Sequence, residues 1–318
     1  MKLRCAILDD YQGVALRFGD WAAISDRVEP VVFQDHFDSE EQLAAAIGDC
    51  EIAVLMRERT PFAESLFLRL PRLKLLVTTG LRNASIDLSA AKTAGVTVCG
   101  TASFSEPPAE LTWALILALA RQLPRETQSF RTSGPWQSTV GTGLRGKTLG
   151  LIGLGKIGEK VARVGNAFGM ELLAWSQNLT TDRAAAANAR LATSKEQLLQ
   201  QSDFVTIHLV LGERSLGLIG AAELRLMKPE AYLINTSRAQ IVDRTALINA
   251  LGAHVIAGAA VDVFEIEPLP LDDELRRLPN FLGTPHLGYV SDENYRTYYR
   301  EIVENIEAFL KGAPVRLL

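Results

Sequence analysis

The chain has 318 residues, enough for about two domains with large cores. Its composition, 47% hydrophobic and 22% charged, is that of an ordinary globular protein, and a net charge of -4 argues against a nucleic-acid partner. The three cysteines, Cys5, Cys50 and Cys99, are scattered without metal-ligand spacing, so no metal site is expected and a reducing cytoplasm is the simplest setting. Residues 1–11 are interrupted by charge and do not read as a signal peptide. The most apolar helical run, 111–120, is too short to cross a bilayer, and no membrane partner is expected. Strand-sized apolar runs then follow one another at 4–8, 30–33, 52–56, 73–77 and 96–99, with helix-like stretches such as 39–47 and 87–94 between them. Ser85 or Asp87 can cap the latter helix and Gly95 ends it. This alternation predicts a parallel sheet covered by helices, a small domain complete before residue 100.

A long helix is expected over 107–121, and a turn-rich loop with Trp136 over 134–146. A second alternating series begins at Thr148, where TLGLIGLGKIG reads as a buried strand, a G-x-G-x-x-G turn at Gly153, Gly155 and Gly158, and the start of a helix. In that order the first glycine permits the turn, the second lets a pyrophosphate approach, and the third lets helix and strand pack closely. The phosphates would lie at the helix N-terminus. The other reading is a tight strand-to-helix turn without ligand. Further strands at 171–175, 204–208, 232–235, 255–260 and 281–283 bring the count to six, that of a dinucleotide-binding fold. An amphipathic helix over 292–310, with Tyr295, Tyr298, Tyr299 and Phe309, should return to the first domain and make it discontinuous.

In an NAD site the second strand commonly ends in an acidic residue. Here it ends in Ser176, Gln177 and Asn178, with neither a carboxylate nor an arginine. The reading leans to NAD and leaves NADP open beside it. Three polar residues follow later strands of the series: Arg238, Glu267 and His286. Hydride transfer to a 2-keto acid needs a proton at the carbonyl oxygen and a cation for the carboxylate. Histidine supplies the first near neutral pH, a neighbouring carboxylate charges and orients it, and arginine supplies the second. On spacing alone Arg238 also reads as a surface ion pair and Glu267 as part of a solvated acidic loop. Of the other histidines, His36 and His254 read as surface residues and His208 as packing.

Taken together, the segments GKTLGLIGLGKIG, INTSR with IVD behind it, DVFEIEP and TPHLG, in this order, resemble the D-isomer-specific 2-hydroxyacid dehydrogenase family over nearly the whole chain. The resemblance implies two doubly wound α/β domains with a cleft between them. A Rossmann NAD(P)-binding domain, 100–287, would be inserted into a flavodoxin-like substrate-binding domain, 1–99 and 288–318, with hinges near Gly100 and Gly288. It implies that Arg238 binds and polarises a small 2-keto or 2-hydroxy acid, that His286 is the acid/base, and that Glu267 pairs with it. Lys156 and Ile157 would lie against the pyrophosphate, Asp262 at the nicotinamide carboxamide, and Thr236, Leu209 and Gly288 along the cofactor, with Ser176 and Gln177 at its ribose. A homodimer is the family expectation.

The chain departs from the family pattern at three places. In the loop 79–87, Leu81, Arg82 and Asn83 bring bulk and positive charge to a backbone that in relatives binds the substrate carboxylate. Arg82 is therefore expected either to bind a second anionic group of the substrate or to point outward to an acidic neighbour. Ala239 and Val210 replace a usual Gly and Pro. Two rival functions share the fold: formate or phosphite oxidation, and NADH sensing of the kind found in C-terminal-binding transcriptional corepressors.

Overall fold

A computed structural model describes residues 2–318. The chain runs β1 (Leu3–Ile7), α1 (Ala15–Phe18), β2 (Val28–Val32), α2 (Glu40–Ile47), β3 (Ile52–Leu55), α3 (Glu64–Arg69), β4 (Leu75–Thr78), α4 (Leu88–Thr93) and β5 (Thr97–Cys99). It continues through α5 (Glu106–Ala120), α6 (Leu123–Arg131), β6 (Thr148–Ile152), α7 (Lys156–Ala167), β7 (Glu171–Trp175), α8 (Thr181–Ala186), β8 (Arg190–Leu191), α9 (Lys195–Gln201) and β9 (Phe204–Ile207). Then come α10 (Ala221–Leu226), β10 (Tyr232–Asn235), α11 (Arg244–Gly252), β11 (Gly258–Val261), β12 (Phe281–Gly283) and α12 (Asp292–Leu310). It divides into two compact units, Met1–Phe104 with Ser291–Leu318, and Ser105–Val290. The divisions fall a few residues after the breaks expected at 99/100 and 287/288.

The first unit holds a parallel sheet in the order β2-β1-β3-β4-β5. Its central strands β3 and β4 are buried throughout, as mostly apolar runs covered on both faces are. β2 takes the edge, where Pro30 needs no partner for the N–H it lacks. All three cysteines lie in this unit and are buried. The return of α12 is legible in its stripe: Tyr298, Tyr299, Ile302 and Ile306 are fully buried within this unit. Burying each isoleucine contributes roughly 1.5–3 kcal/mol. Ser291 starts the helix by accepting the Asn294 N–H, and Asp87 likewise caps α4.

The second unit holds seven parallel strands, β12-β11-β10-β9-β6-β7-β8. One core packs α5 and α7 on one face, through Trp113, Leu119 and Val161. The other packs α9, α10 and α11, through Leu198, Leu224 and Leu247. The six strands read from sequence are all present, but β8 joins the edge as a seventh. It is two residues long, too short for an apolar pattern. α6 was also not legible. Gln122 turns into the left-handed region at φ 54, Pro124 opens a new helix, and none of its residues is buried, so it carries no apolar stripe. β11 starts at Gly258 rather than 255, because Val255 and Ile256 pack under the sheet without joining it.

Candidate active site

Open α/β sheets bind ligands at the C-terminal ends of their strands, where the strand order reverses. In the second unit that point lies between β6 and β9. Gly153 leaves β6 at φ +99, and a Cβ there would stand 2.6 Å from the His208 carbonyl oxygen. A Cβ on Gly158 would stand 2.3 Å from the Gly153 carbonyl oxygen, so the third glycine lets α7 seat against the turn. Gly155, by contrast, has no atom within 4 Å of its absent Cβ. That open face, followed by the unpaired first-turn N–H groups of Lys156, Ile157 and Gly158, fits a dinucleotide pyrophosphate. Beneath it His208 is half-buried, both ring nitrogens are sealed from solvent without a hydrogen bond, and burial pushes its pKa down to about 4. It is a neutral packing residue.

Beside the turn lies a cavity of about 560 Å³. The residues after β7, Ser176, Gln177 and Asn178, form one wall, and the loop after β9, from Leu209, forms the other. A smaller cavity of about 270 Å³ lies under the segment 263–270, lined by Val242, Leu247, Val263 and Phe264.

β10, β11 and β12 end side by side, with Asn235 opposite Val261 and Val261 opposite Gly283. After β10, Asn235 clamps the turn: its Oδ1 accepts the Ser237 N–H at 3.0 Å and its Nδ2 donates to the Arg238 carbonyl at 2.9 Å. Thr236 meets Thr112 of α5 at 2.9 Å. The Arg238 side chain is half-buried and donates to the Ser237 carbonyl. After β11, Asp262 is buried and accepts from the Thr284 hydroxyl at 2.6 Å, the Leu287 N–H at 2.7 Å and the Gly288 N–H at 2.8 Å. Burial pushes its carboxyl up, and these donors oppose the shift. The segment Thr284–Gly288 is thereby tied to β11, and it carries His286. His286 Nδ1 stands 2.7 Å from Glu267 Oε2, and Glu267 Oε1 accepts the Phe264 N–H at 2.8 Å. Tyr289 packs its ring edge-on to the imidazole, centroids 5.3 Å apart. Two neighbouring strand ends therefore present a histidine–carboxylate pair, with an arginine at the third.

The family model "D-isomer specific 2-hydroxyacid dehydrogenase, NAD binding domain" matches residues 113–288, which hold the glycine turn, Arg238, Glu267 and His286. The chain belongs to the D-isomer specific 2-hydroxyacid dehydrogenase family. It is 37% identical over 252 residues to a glyoxylate reductase from Thermococcus litoralis, covering 76% of this chain and 75% of that one. It is 34% identical over 298 residues to a D-3-phosphoglycerate dehydrogenase from Bacillus subtilis, covering 92% of this chain. The matched part spans only 56% of that longer protein. The fold matches a phosphoglycerate oxidoreductase from Vibrio cholerae at a TM-score of 0.93 and 36% identity, over 98% of this chain and all of that one. This chain is accordingly an NAD-dependent dehydrogenase of the family.

In this dehydrogenase, Asp262 is occupied on both oxygens within its own loop, so the structure gives it a positioning job beyond the carboxamide contact the resemblance implies. Asp262→Asn keeps one acceptor oxygen where two now serve three donors. It is expected to destabilise the protein by about 1–3 kcal/mol. Denaturant unfolding checks this, and an unchanged midpoint would contradict the tie.

In the first unit, the loop 79–87 differs from the sequence reading at one residue. Asn83 turns inward: its Nδ2 donates to the Arg57 carbonyl at 2.6 Å and to Thr78 Oγ1 at 2.9 Å, and its Oδ1 accepts from Ser85. Its hydrogen-bonding capacity holds the loop. Leu81 and Arg82 are exposed, and among the described residues no acidic neighbour pairs with Arg82. Two arginines that the sequence did not single out stand at the strand-order reversal of this sheet, after β3. Arg57, at φ 57, lays its guanidinium over Gly80, and Arg59 donates to the Asp9 carbonyl at 2.9 Å and stacks on Tyr11. Asp9 is buried and pairs with His36 at 2.9 Å, so His36 is not the surface residue it reads as from sequence; the Asp9 hydrogen bond raises its pKa. His254 is exposed, as read. Among the described residues no cluster of three or more His, Cys, Asp or Glu stands ready for a metal, and no helix is long and apolar enough to cross a membrane.

Proposed function

We propose that the enzyme interconverts a small 2-keto acid and a D-2-hydroxy acid, with Arg238, Glu267 and His286 as its working groups. The observation that carries this reading is the 2.7 Å contact between His286 Nδ1 and Glu267 Oε2. With Nδ1 donating to the carboxylate, Nε2 is left to exchange a proton with the substrate oxygen. In the reducing direction His286 gives that proton as the carbonyl oxygen becomes a hydroxyl. Glu267 fixes the ring through that contact. Arg238 grips the substrate carboxylate and polarises the carbonyl. Gly153, Gly155, Lys156, Ile157 and Gly158 would hold a nicotinamide dinucleotide, with Leu209, Thr236 and Gly288 along it, and the hydride would come from or go to that cofactor.

The test is absorbance at the nicotinamide band with NADH, then NADPH, against glyoxylate, hydroxypyruvate and phosphohydroxypyruvate. Oxidation of reduced cofactor by at least one acid is expected. Cofactor binding without turnover on any of them would favour the sensing role instead. Within this reading Arg82 binds a second anionic group. Arg82→Ala should raise KM for phosphohydroxypyruvate far more than for glyoxylate, and equal effects would remove Arg82 from substrate binding.

The enzyme works as a homodimer in this proposal. α6 and the loop after it leave Phe130, Trp136 and Val140 exposed at 73%, 81% and 97%, a patch of large apolar groups that a second copy would cover. Sedimentation equilibrium is expected to give twice the chain mass of 34.7 kDa, and a monomer at micromolar concentration would refute it. A cytoplasmic setting is part of the same proposal, given three reduced, buried thiols.

A further inference from the structure

The cavity beside the glycine turn has a charge pattern that family membership does not dictate. β7 closes on Trp175, and the three residues behind it that line the cavity, Ser176, Gln177 and Asn178, are all neutral. No carboxylate stands at the strand end, where an NAD site commonly holds the ribose 2′-hydroxyl and repels a phosphate in its place. On the facing loop Arg214 is the one basic residue that lines the cavity and Glu213 the one acid. The backbone around Arg214 is held: Ser215, next in the chain, is buried, accepts the Gly212 N–H at 2.9 Å and donates to the Val210 carbonyl at 2.8 Å. The Arg214 side chain is exposed and has neither hydrogen bond nor ion pair among the described residues. A guanidinium presented on a pinned loop, with its donors unspent, opposite neutral hydrogen-bonding side chains, is the arrangement a phosphate dianion needs.

We propose that this cavity accepts a 2′-phosphorylated dinucleotide, with Arg214 as the cation for the 2′-phosphate and Ser176, Gln177 and Asn178 as its neutral partners. The enzyme then uses NADPH as well as NADH. Glu213 retains the unphosphorylated cofactor by accepting from its ribose hydroxyl. The inference rests on the reading of the glycine turn and its cavity as the dinucleotide site.

Calorimetric titration of the full chain with adenosine 2′,5′-bisphosphate and with 5′-AMP tests it without turnover. The bisphosphate is expected to bind at least as tightly as 5′-AMP. Arg214→Ala is expected to weaken the bisphosphate by about 10- to 100-fold, while 5′-AMP changes by less than about 3-fold. Arg214→Lys should recover part of the loss. Ser176→Asp, which restores a carboxylate at the strand end, should exclude the bisphosphate and spare 5′-AMP. The ratio of kcat/KM for NADPH to that for NADH should move with these affinities. A wild-type preference for 5′-AMP of about tenfold or more, or an equal loss of both ligands in Arg214→Ala, overturns the role of Arg214 and leaves the dinucleotide site standing. Failure of both ligands and both cofactors to bind overturns the inference together with the site it rests on.

Discussion

His286→Ala is expected to lower kcat by about 10²–10⁴-fold, the range for a lost general acid. The substitution removes the proton donor and leaves the rest of the site in place. The backbone that carries residue 286 is tied by Asp262 through Thr284, Leu287 and Gly288, none of which depends on the imidazole. NADH affinity, read by nicotinamide fluorescence, should therefore change little, and the loss should fall on kcat. Glu267→Gln provides the finer control. It keeps an oxygen for the imidazole N–H but removes the carboxylate charge beside the ring. A smaller fall in kcat than that of His286→Ala is expected. Near-normal kcat in His286→Ala would rule the residue out as the acid and leave the proton to another group.

The second large effect belongs to the turn. Gly153→Ala puts a side chain at φ +99, a region that L residues rarely adopt, and drives its Cβ to 2.6 Å from a carbonyl oxygen and 2.8 Å from its carbon. Neither is the tip of a flexible side chain, so backbone must shift. Strain and overpacking together should cost about 2–5 kcal/mol, seen as a lower denaturation midpoint. Movement of the turn also misaligns the N–H groups of α7, so nucleotide binding should weaken by more than the stability loss alone would give. Gly155→Ala is the comparison. Its Cβ meets no protein atom, so the fold should stand while the pyrophosphate loses its approach. If both variants unfold at the same denaturant concentration as wild type, the turn is not the tight junction described above.

What the sequence made legible follows from how strongly each segment's physics is local. The strands β3, β4, β9 and β10 are buried from end to end and mostly apolar, and the turn at Gly153–Gly158 has a fixed spacing, so both could be read without tertiary information. α12 could be assigned to the first unit because its aromatic stripe needed a core to cover it. β8 and α6 could not be read, because one is two residues long and the other buries nothing. In the site, Arg238, Glu267 and His286 stood out by chemistry and position. Asn235 and Thr112 did not, since their part in holding the TSR turn exists only once β10 and α5 are packed. Asp9 and His36 are 27 residues apart and meet only because β1 and β2 pair, so nothing local marks the histidine as half-buried. Asn83 misled for the same reason. A polar residue in a substrate-side loop reads as a ligand contact until its amide is seen to hold the loop itself.

The placement of the cysteines gives the first unit a reporter of its own. Cys5, Cys50 and Cys99 all sit under the first sheet and none lies between Ser105 and Val290. Burial holds the Cys5 thiol far above its ordinary pKa and that of Cys99 near 11, so as folded they are protonated and sheltered from a trapping reagent. A thiol reagent therefore scores openings of the first unit alone, while amide exchange at Trp113 and Trp175 follows the second. Whether a bound nucleotide quiets only the half that holds it, or both halves together, becomes a ratio of two rates measured on the unmodified chain.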